Sequence, residues 1–168
     1  MQNFPDCIAH VLAAEGGLVN NPKDPGGVTK FGISQRSYPA LDIRALTMDD
    51  AKAIYQRDYW TPIQGEALPA GIDLLVLDHA VNAGPIRAVR MLQGLLGVPE
   101  DGLMGPITLD AVASAEPESL IASYSELRLD FYSDLPTWRH FGAGWTRRVM
   151  RARRAALALA RAQAPLAA

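Results

Sequence analysis

A single cysteine, Cys7, stands in 168 residues, with only three histidines. One thiol excludes an intramolecular disulfide framework and a cysteine-based zinc cage. His10, His79 and His140 are scattered and no HExxH spacing occurs, so a zinc amidase lacks its ligands and no metal site or cofactor is expected. No GxGxxG or GxxxxGK[ST] run is present to cradle a phosphate. No stretch approaches the ~20 apolar residues of a membrane span. The longest candidate, Ala155 to Ala160, is short and follows arginines. An excess of one charge is also missing. Sixteen Lys+Arg face eighteen Asp+Glu for a formal charge of −2, so no nucleic-acid partner is expected. Met1 to Asp6 has neither a basic region nor an apolar run, so it does not read as a signal peptide. No helical-repeat period and no Gly/Ser-rich linker divides the chain.

What is present is material for a core. Hydrophobic residues make up 49% and charged residues 20%, which is not a disordered composition. A chain of this length buries roughly 70% of its unfolded surface. Pro5 can open a helix in which Phe4, Ile8, Val11 and Leu12 recur at helical spacing, stopping at Gly16-Gly17. From Leu18 to Phe31 the helical period vanishes. Asn20-Asn21-Pro22 and Asp24-Pro25-Gly26-Gly27 are turn chemistry, and Val28, Phe31 and Ile33 suggest short strands of a small hairpin. Thr47-Met48-Asp49-Asp50 resembles a capping box and predicts a helix to about Trp60. Ile72 to Ala83 is apolar almost all round and predicts a buried central helix. Gly84-Pro85 starts the next, to about Leu96, and Gly105-Pro106 another, to about Ala115. Pro117 and Trp138 lie near the starts of two long C-terminal helices. The tail after Pro165 is expected to fray.

Glu15-Gly16-Gly17 is the most informative spot. A carboxylate ends an apolar helix directly before two glycines. The negative end of the helix dipole and partial burial both disfavour its charged form, which suits a general acid. The glycines leave room for a bulky substrate. A surface glutamate at a helix end is the plain alternative.

The residues that follow decide between them. The run from Glu15 to Ile33 contains Glu-Gly-Gly, Asn-x-Pro, Asp-Pro-Gly-Gly, Thr29 and Phe31-Gly32-Ile33 in order. It closely resembles the signature of the glycoside hydrolase family 108 N-acetylmuramidases, lysozyme-like enzymes of phages, prophages and bacterial secretion loci. Asp78-His79-Ala80-Val81-Asn82-Ala83-Gly84 resembles that family's central-helix segment. Asp101-Gly102-Leu103-Met104-Gly105-Pro106-Ile107-Thr108 is similar to the accompanying peptidoglycan-binding region. Phe141-Gly142-Ala143-Gly144-Trp145-Thr146-Arg147-Arg148-Val149 resembles the family's Gly-Trp…Arg-Val segment.

The resemblance implies a mainly α fold: a lysozyme-like helical region over 1–91, a small β-hairpin at the cleft, and a peptidoglycan-binding helical region over 92–168 packed on it. It implies that Glu15 protonates the oxygen of the β-1,4 bond between N-acetylmuramic acid and N-acetylglucosamine. The second catalytic group has two candidates. Asp24 is the obvious carboxylate, although Asp before Pro-Gly-Gly is also ordinary turn chemistry. Thr29 could orient a water or an acetamido group. Asn20 and Asn82 are implied substrate-binding amides, with a helix-end cap the alternative for Asn82. Tyr59 and Trp60 are candidates to stack on sugar rings, with core packing the alternative.

Cys7 and His10, three apart, invite a Cys-His amidase reading, but Cys7 lies on the apolar stripe of Phe4, Ile8 and Val11. Arg147, Arg148, Arg151, Arg153 and Arg154 make the last helix basic, either as a solvated face or as a contact for the anionic envelope. The expected partner is the peptidoglycan glycan strand, met by a monomer. Synthesis in the cytoplasm and action on periplasmic peptidoglycan, after holin-type or other release, is the matching location. A lytic transglycosylase and a non-catalytic peptidoglycan-binding or secretion-assisting protein are the alternatives.

Overall fold

The structure is a computed structural model that describes residues 3–15, 19–20 (backbone only) and 27–163. Seven α-helices dominate the described residues. Helix α1 (Phe4–Glu15) turns Cys7, Ile8 and Val11 into the core and ends at Glu15. A small antiparallel sheet follows, of β1 (Val19–Asn20), β2 (Val28–Lys30) and β3 (Ile33–Ser34) in the order β1-β2-β3. Lys30 pairs with Ile33, so Phe31 and Gly32 form a two-residue turn. Both have positive φ, +53° and +78°. Primed turns of this kind match the twist of hairpin strands. The strand expected at Phe31 is thus corrected: pairing ends at Lys30 and Phe31 sits at the hairpin tip.

Helix α2 (Met48–Tyr55) opens with the expected capping box. Asp50 N–H donates to Thr47 Oγ1 at 3.2 Å, and Thr47 N–H donates to Asp50 Oδ2 at 2.9 Å. A π-helical turn (Gln56–Trp60) continues it to the predicted end. Helix α3 (Ile72–Ala83) is the central helix, buried without a break from Ile72 to Ala80. It is less purely apolar than its sequence suggests, because Asp73, Asp78 and His79 are also buried. Asp73 is satisfied locally. Its Oδ1 accepts from the N–H of Gly71 (2.8 Å) and Leu74 (2.6 Å), and its Oδ2 accepts from Asn3 Nδ2 (2.9 Å).

The second half wraps this axis with α4 (Pro85–Leu96), α5 (Pro106–Ser114), α6 (Pro117–Ser133) and α7 (Trp138–Gln163). At 26 residues, α7 is ~39 Å long. Its close approach to α3 depends on Gly71, whose φ of +88° suits glycine and whose Cα faces the Ala156 carbonyl of α7. The Asp101-Gly102…Thr108 motif is architectural. Buried Gln93 of α4 donates to Asp101 Oδ1, the Leu103 carbonyl and Thr108 Oγ1, and accepts from Gly102 N–H.

Charge holds α6 to α3. Arg128 Nη1 lies 2.7 Å from Asp78 Oδ2, and neither side chain is exposed to solvent. Arg128 Nε also donates to Tyr132 Oη at 3.0 Å. Beside this pair, His79 Nδ1 donates to Tyr124 Oη (2.7 Å), which donates to the Ala88 carbonyl (3.0 Å). Burial, then the charge of Arg128, pushes the His79 imidazole down to about 2, so it stays neutral.

Arg128→Met is expected to lower stability by about 3–5 kcal/mol, the usual result of removing one partner of a buried ion pair. Urea unfolding measures it. A loss under ~1 kcal/mol would mean that this pair does not clamp α6 to α3.

Candidate active site

Helix α1 brings Glu15 to its last position because the apolar stripe of Cys7, Ile8 and Val11 fixes the helix against the core. The hairpin tip comes to meet it. A Cβ on Gly32 would lie 2.5 Å from Tyr55 Oη and 2.9 Å from Glu15 Oε2. Only glycine permits that approach. Tyr55, at the end of α2, donates its hydroxyl to the Phe31 carbonyl at 2.8 Å and so pins the tip over the carboxylate. Burial, reinforced by the charge of Glu15, pushes the Tyr55 phenol well up, so it keeps its proton and stays a donor.

The other neighbour of Glu15 comes from far along the chain. Arg148 Nη1 of α7 donates to Glu15 Oε1 at 2.6 Å. Arg148 Nε donates to Asp78, at 3.0 Å to Oδ1 and 3.2 Å to Oδ2. The result is a continuous chain of charges, Glu15–Arg148–Asp78–Arg128, through α1, α7, α3 and α6. Burial alone would lower the Arg148 guanidinium, but Asp78 and then Glu15 outweigh it and hold it above its usual range. The sequence reading supposed an apolar surround and a helix dipole at Glu15. The structure adds a cation, which also answers the negative end of α1.

Next to this cluster, Asn82 at the end of α3 accepts at its Oδ1 from the Tyr132 hydroxyl. Trp145 packs on Tyr132 with centroids 5.2 Å apart and on Phe141 at 5.7 Å. Asn82, Trp145 and Arg148 line one groove of about 610 Å³, with Ala14 also in its lining. Exposed Asn82 therefore shares a cavity with Arg148, the partner of Glu15.

The remaining candidates divide. Thr29 is half-buried on β2, opposite Val19 and Ser34. Tyr59 is half-buried, stacks on Tyr55 at 5.4 Å and feels the charge of Glu15. Trp60 corrects the expectation of a sugar platform. It is 2% exposed, packs on Phe4 at 5.3 Å, lies over Gly65 and donates its Nε1 to Glu66. Its faces are occupied by the core. Asp24 lies outside the described residues, as does the Asn20 side chain.

Cys7 is fully buried, and burial followed by the nearby Asp73 pushes its thiol up, away from a nucleophilic thiolate. Among the described residues no group of three His, Cys, Asp or Glu is placed to hold a metal.

Sequence reasoning missed Asp78, Arg128, Tyr55 and Tyr132 as partners of the site. One signal was available: an aspartate in the middle of an otherwise apolar helix, beyond the free N–H groups that serve Asp73 at the helix start, needs a buried donor or cation. Which cation it finds depends on the packing of helices 50 and 70 positions away.

Comparison with known proteins places the chain in a family. The family model for Glycosyl hydrolase 108 matches residues 8–84, and that for a Predicted Peptidoglycan domain matches residues 87–150. No curated protein matches the chain. The solved structure of Brucella abortus SagA is 40% identical in sequence, with a TM-score of 0.89, over 97% of this chain and 98% of that one. With a family match that spans Glu15 and a relative of this identity along its length, the chain belongs to the glycosyl hydrolase 108 family, as a lysozyme-like, mainly α glycoside hydrolase continued by a peptidoglycan domain.

Proposed function

We propose that the protein is an N-acetylmuramidase that hydrolyses the β-1,4 bond between N-acetylmuramic acid and N-acetylglucosamine, with Glu15 as the general acid. The observation that carries this reading is the setting of Glu15. It ends a core helix, under a hairpin tip at Gly32, and is held by Arg148, which lines a groove shared with an amide and an indole. Sugars are bound by such surfaces, through hydrogen bonds from amides and stacking on aromatic faces.

To protonate the glycosidic oxygen, Glu15 must give up its contact with Arg148 as the glycan enters and take up a proton from solvent, which it then passes to the leaving oxygen. Arg148 is not stranded when this happens, because Asp78 keeps both oxygens on its Nε. Asn82 and Tyr59 serve as substrate contacts. The water that completes hydrolysis needs a second group, and Asp24 and Thr29 both follow α1 in the sequence, before β3. Residues 1–91 carry the cleavage and residues 92–168 supply wall binding, together with Arg148. The substrate is periplasmic peptidoglycan.

Purified sacculi digested by the protein should yield soluble fragments with reducing N-acetylmuramic acid ends, read by mass spectrometry. Fragments ending in 1,6-anhydromuramic acid would identify a lytic transglycosylase. Glu15→Gln should slow wall lysis by roughly a hundredfold or more, the scale of general-acid catalysis, with an unchanged circular dichroism spectrum. Near-normal lysis by this variant would sink the assignment.

Asp24→Asn separates the two candidates for the second group. If Asp24 is the base, lysis falls about as far as with Glu15→Gln. If it is a turn residue, Asn is tolerated because it makes the same turn bonds, and the role passes to Thr29.

Gly32→Ala tests the hairpin tip. The added methyl would push the tip away from Tyr55 and Glu15. Small misplacements of this kind cost roughly tenfold to a hundredfold in rate. Unchanged lysis would show that the tip does not position the acid.

A further inference from the structure

The muramidase reading accounts for Arg148 but leaves the rest of the basic face of α7 without a task. Helix α7 holds no acidic residue from Trp138 to Gln163. Arg153 faces Glu126 and Arg161 pairs with Glu118. Arg147, Arg151 and Arg154 have no acidic partner among the described residues. Arg151 Nε is buried with no hydrogen-bond partner among those residues. The residues outside the description contain one acidic side chain, Asp24, against these three guanidinium groups.

Spacings of four and three put Arg147, Arg151 and Arg154 on one stripe of the helix. All three line the groove of about 610 Å³, together with Arg148, which holds Glu15 at 2.6 Å. Gly144 continues the groove wall and leaves open space where a side chain would stand. From Arg147 to Arg154 the stripe runs ~10 Å, the reach of about three residues of extended peptide.

We propose that the arginine stripe of this groove, next to the Asn82 and Trp145 lining read above as sugar contacts, is the subsite for the carboxylate-bearing peptide stem attached to the muramic acid, so that the enzyme selects glycan whose stems are present and not amidated. The proposal rests on the muramidase reading. Such stems carry several free carboxylates along a short extended chain. A glycan placed with its scissile bond at Glu15 lies beside Arg148, which lines the groove, so its lactyl-linked stem is within reach of the arginine stripe. Arginines recognise carboxylates through paired, charge-assisted hydrogen bonds. The concave wall favours a chain lying in it, whereas an anionic membrane would need a flat or convex basic face.

The test measures binding of three soluble probes to the full chain: a disaccharide tripeptide with free carboxylates, the same compound amidated, and the stem-free disaccharide. Trp145 lines the groove, so change in indole fluorescence reports occupancy. The wild type should bind the free-carboxylate probe roughly tenfold or more tighter than the amidated one. Salt of about 1 M, where the Debye length is ~3 Å, should shrink that ratio. In Arg151→Gln/Arg154→Gln the ratio should fall towards one, and Arg151→Lys/Arg154→Lys should restore part of it. If the glutamine pair does not fold, the salt series on the wild type and the lysine pair decides.

Equal binding of the free and amidated probes by the wild type overturns the proposal. So does an unchanged ratio in the folded glutamine variant. Arginine-dependent sedimentation with phosphatidylglycerol vesicles, without discrimination between the probes, overturns it in favour of a membrane contact. Cleavage is scored separately on sacculi. Carboxylate selection without glycan cleavage would defeat the muramidase reading alone, and cleavage without selection would defeat the groove alone.

Discussion

Four side chains from four helices make one line of charge: Glu15, Arg148, Asp78 and Arg128. Asp78 and Arg128 are wholly shielded from water, and Arg148 and Glu15 are nearly so, at 15% and 19% side-chain exposure. Unpaired, each would cost several kcal/mol to bury. Paired in sequence, two acids and two bases leave no net charge in the interior. This constraint sets the rest of the structure. Asp78 has to lie where α6 and α7 can both reach it, and α7 has to stand where Arg148 can touch α3 and the end of α1 together.

The line of charge that begins at Glu15 in the N-terminal half is therefore completed by the C-terminal half. The family boundary falls between residues 84 and 87, at the Gly84-Pro85 break between α3 and α4. The ion chain ignores it. Arg148 reaches Glu15 from 133 positions away, and the Gly71 approach lets α7 lie close against the start of α3. The two regions we assign to cleavage and wall binding divide a task and share one core. Apolar residues of α1, α3, α4, α6 and α7 pack in the same cluster. A wall-binding region built this way cannot swing on a tether, so whatever it holds is presented to Glu15 at a fixed offset.

Much of this was legible in the sequence where the signal is local. The capping box at Thr47, the breaks at Gly84-Pro85 and Gly105-Pro106, the apolar run of α3 and the end of α1 at Glu15 all depend on neighbours within one turn. Phe31 was misplaced because a two-residue turn can put an aromatic at φ +53° when its neighbour is glycine and its carbonyl is held by Tyr55. Trp60 was offered as a sugar platform because an aromatic at a helix end looks available. The π-helical turn and Gly65 instead fold the indole inward. Asp78, Arg128 and Tyr132 were illegible as a set, since their meeting depends on how α3, α6 and α7 cross. That crossing is a property of the packed core, not of any window of sequence.

The charge count illustrates the same separation of scales. A net −2 over the chain describes no local surface here, because α7 carries seven arginines and no acid. One of them, Arg148, is consumed by the interior. That anchoring has a geometric consequence for the others. Once Arg148 is fixed on Glu15 and Asp78, the rotation of α7 about its axis is fixed as well. Arg147, Arg151 and Arg154 are then held along the groove that Arg148 itself lines. Alignment of the basic stripe with the candidate acid thus needs no separate device, since the ion pair that secures the fold also aims the helix.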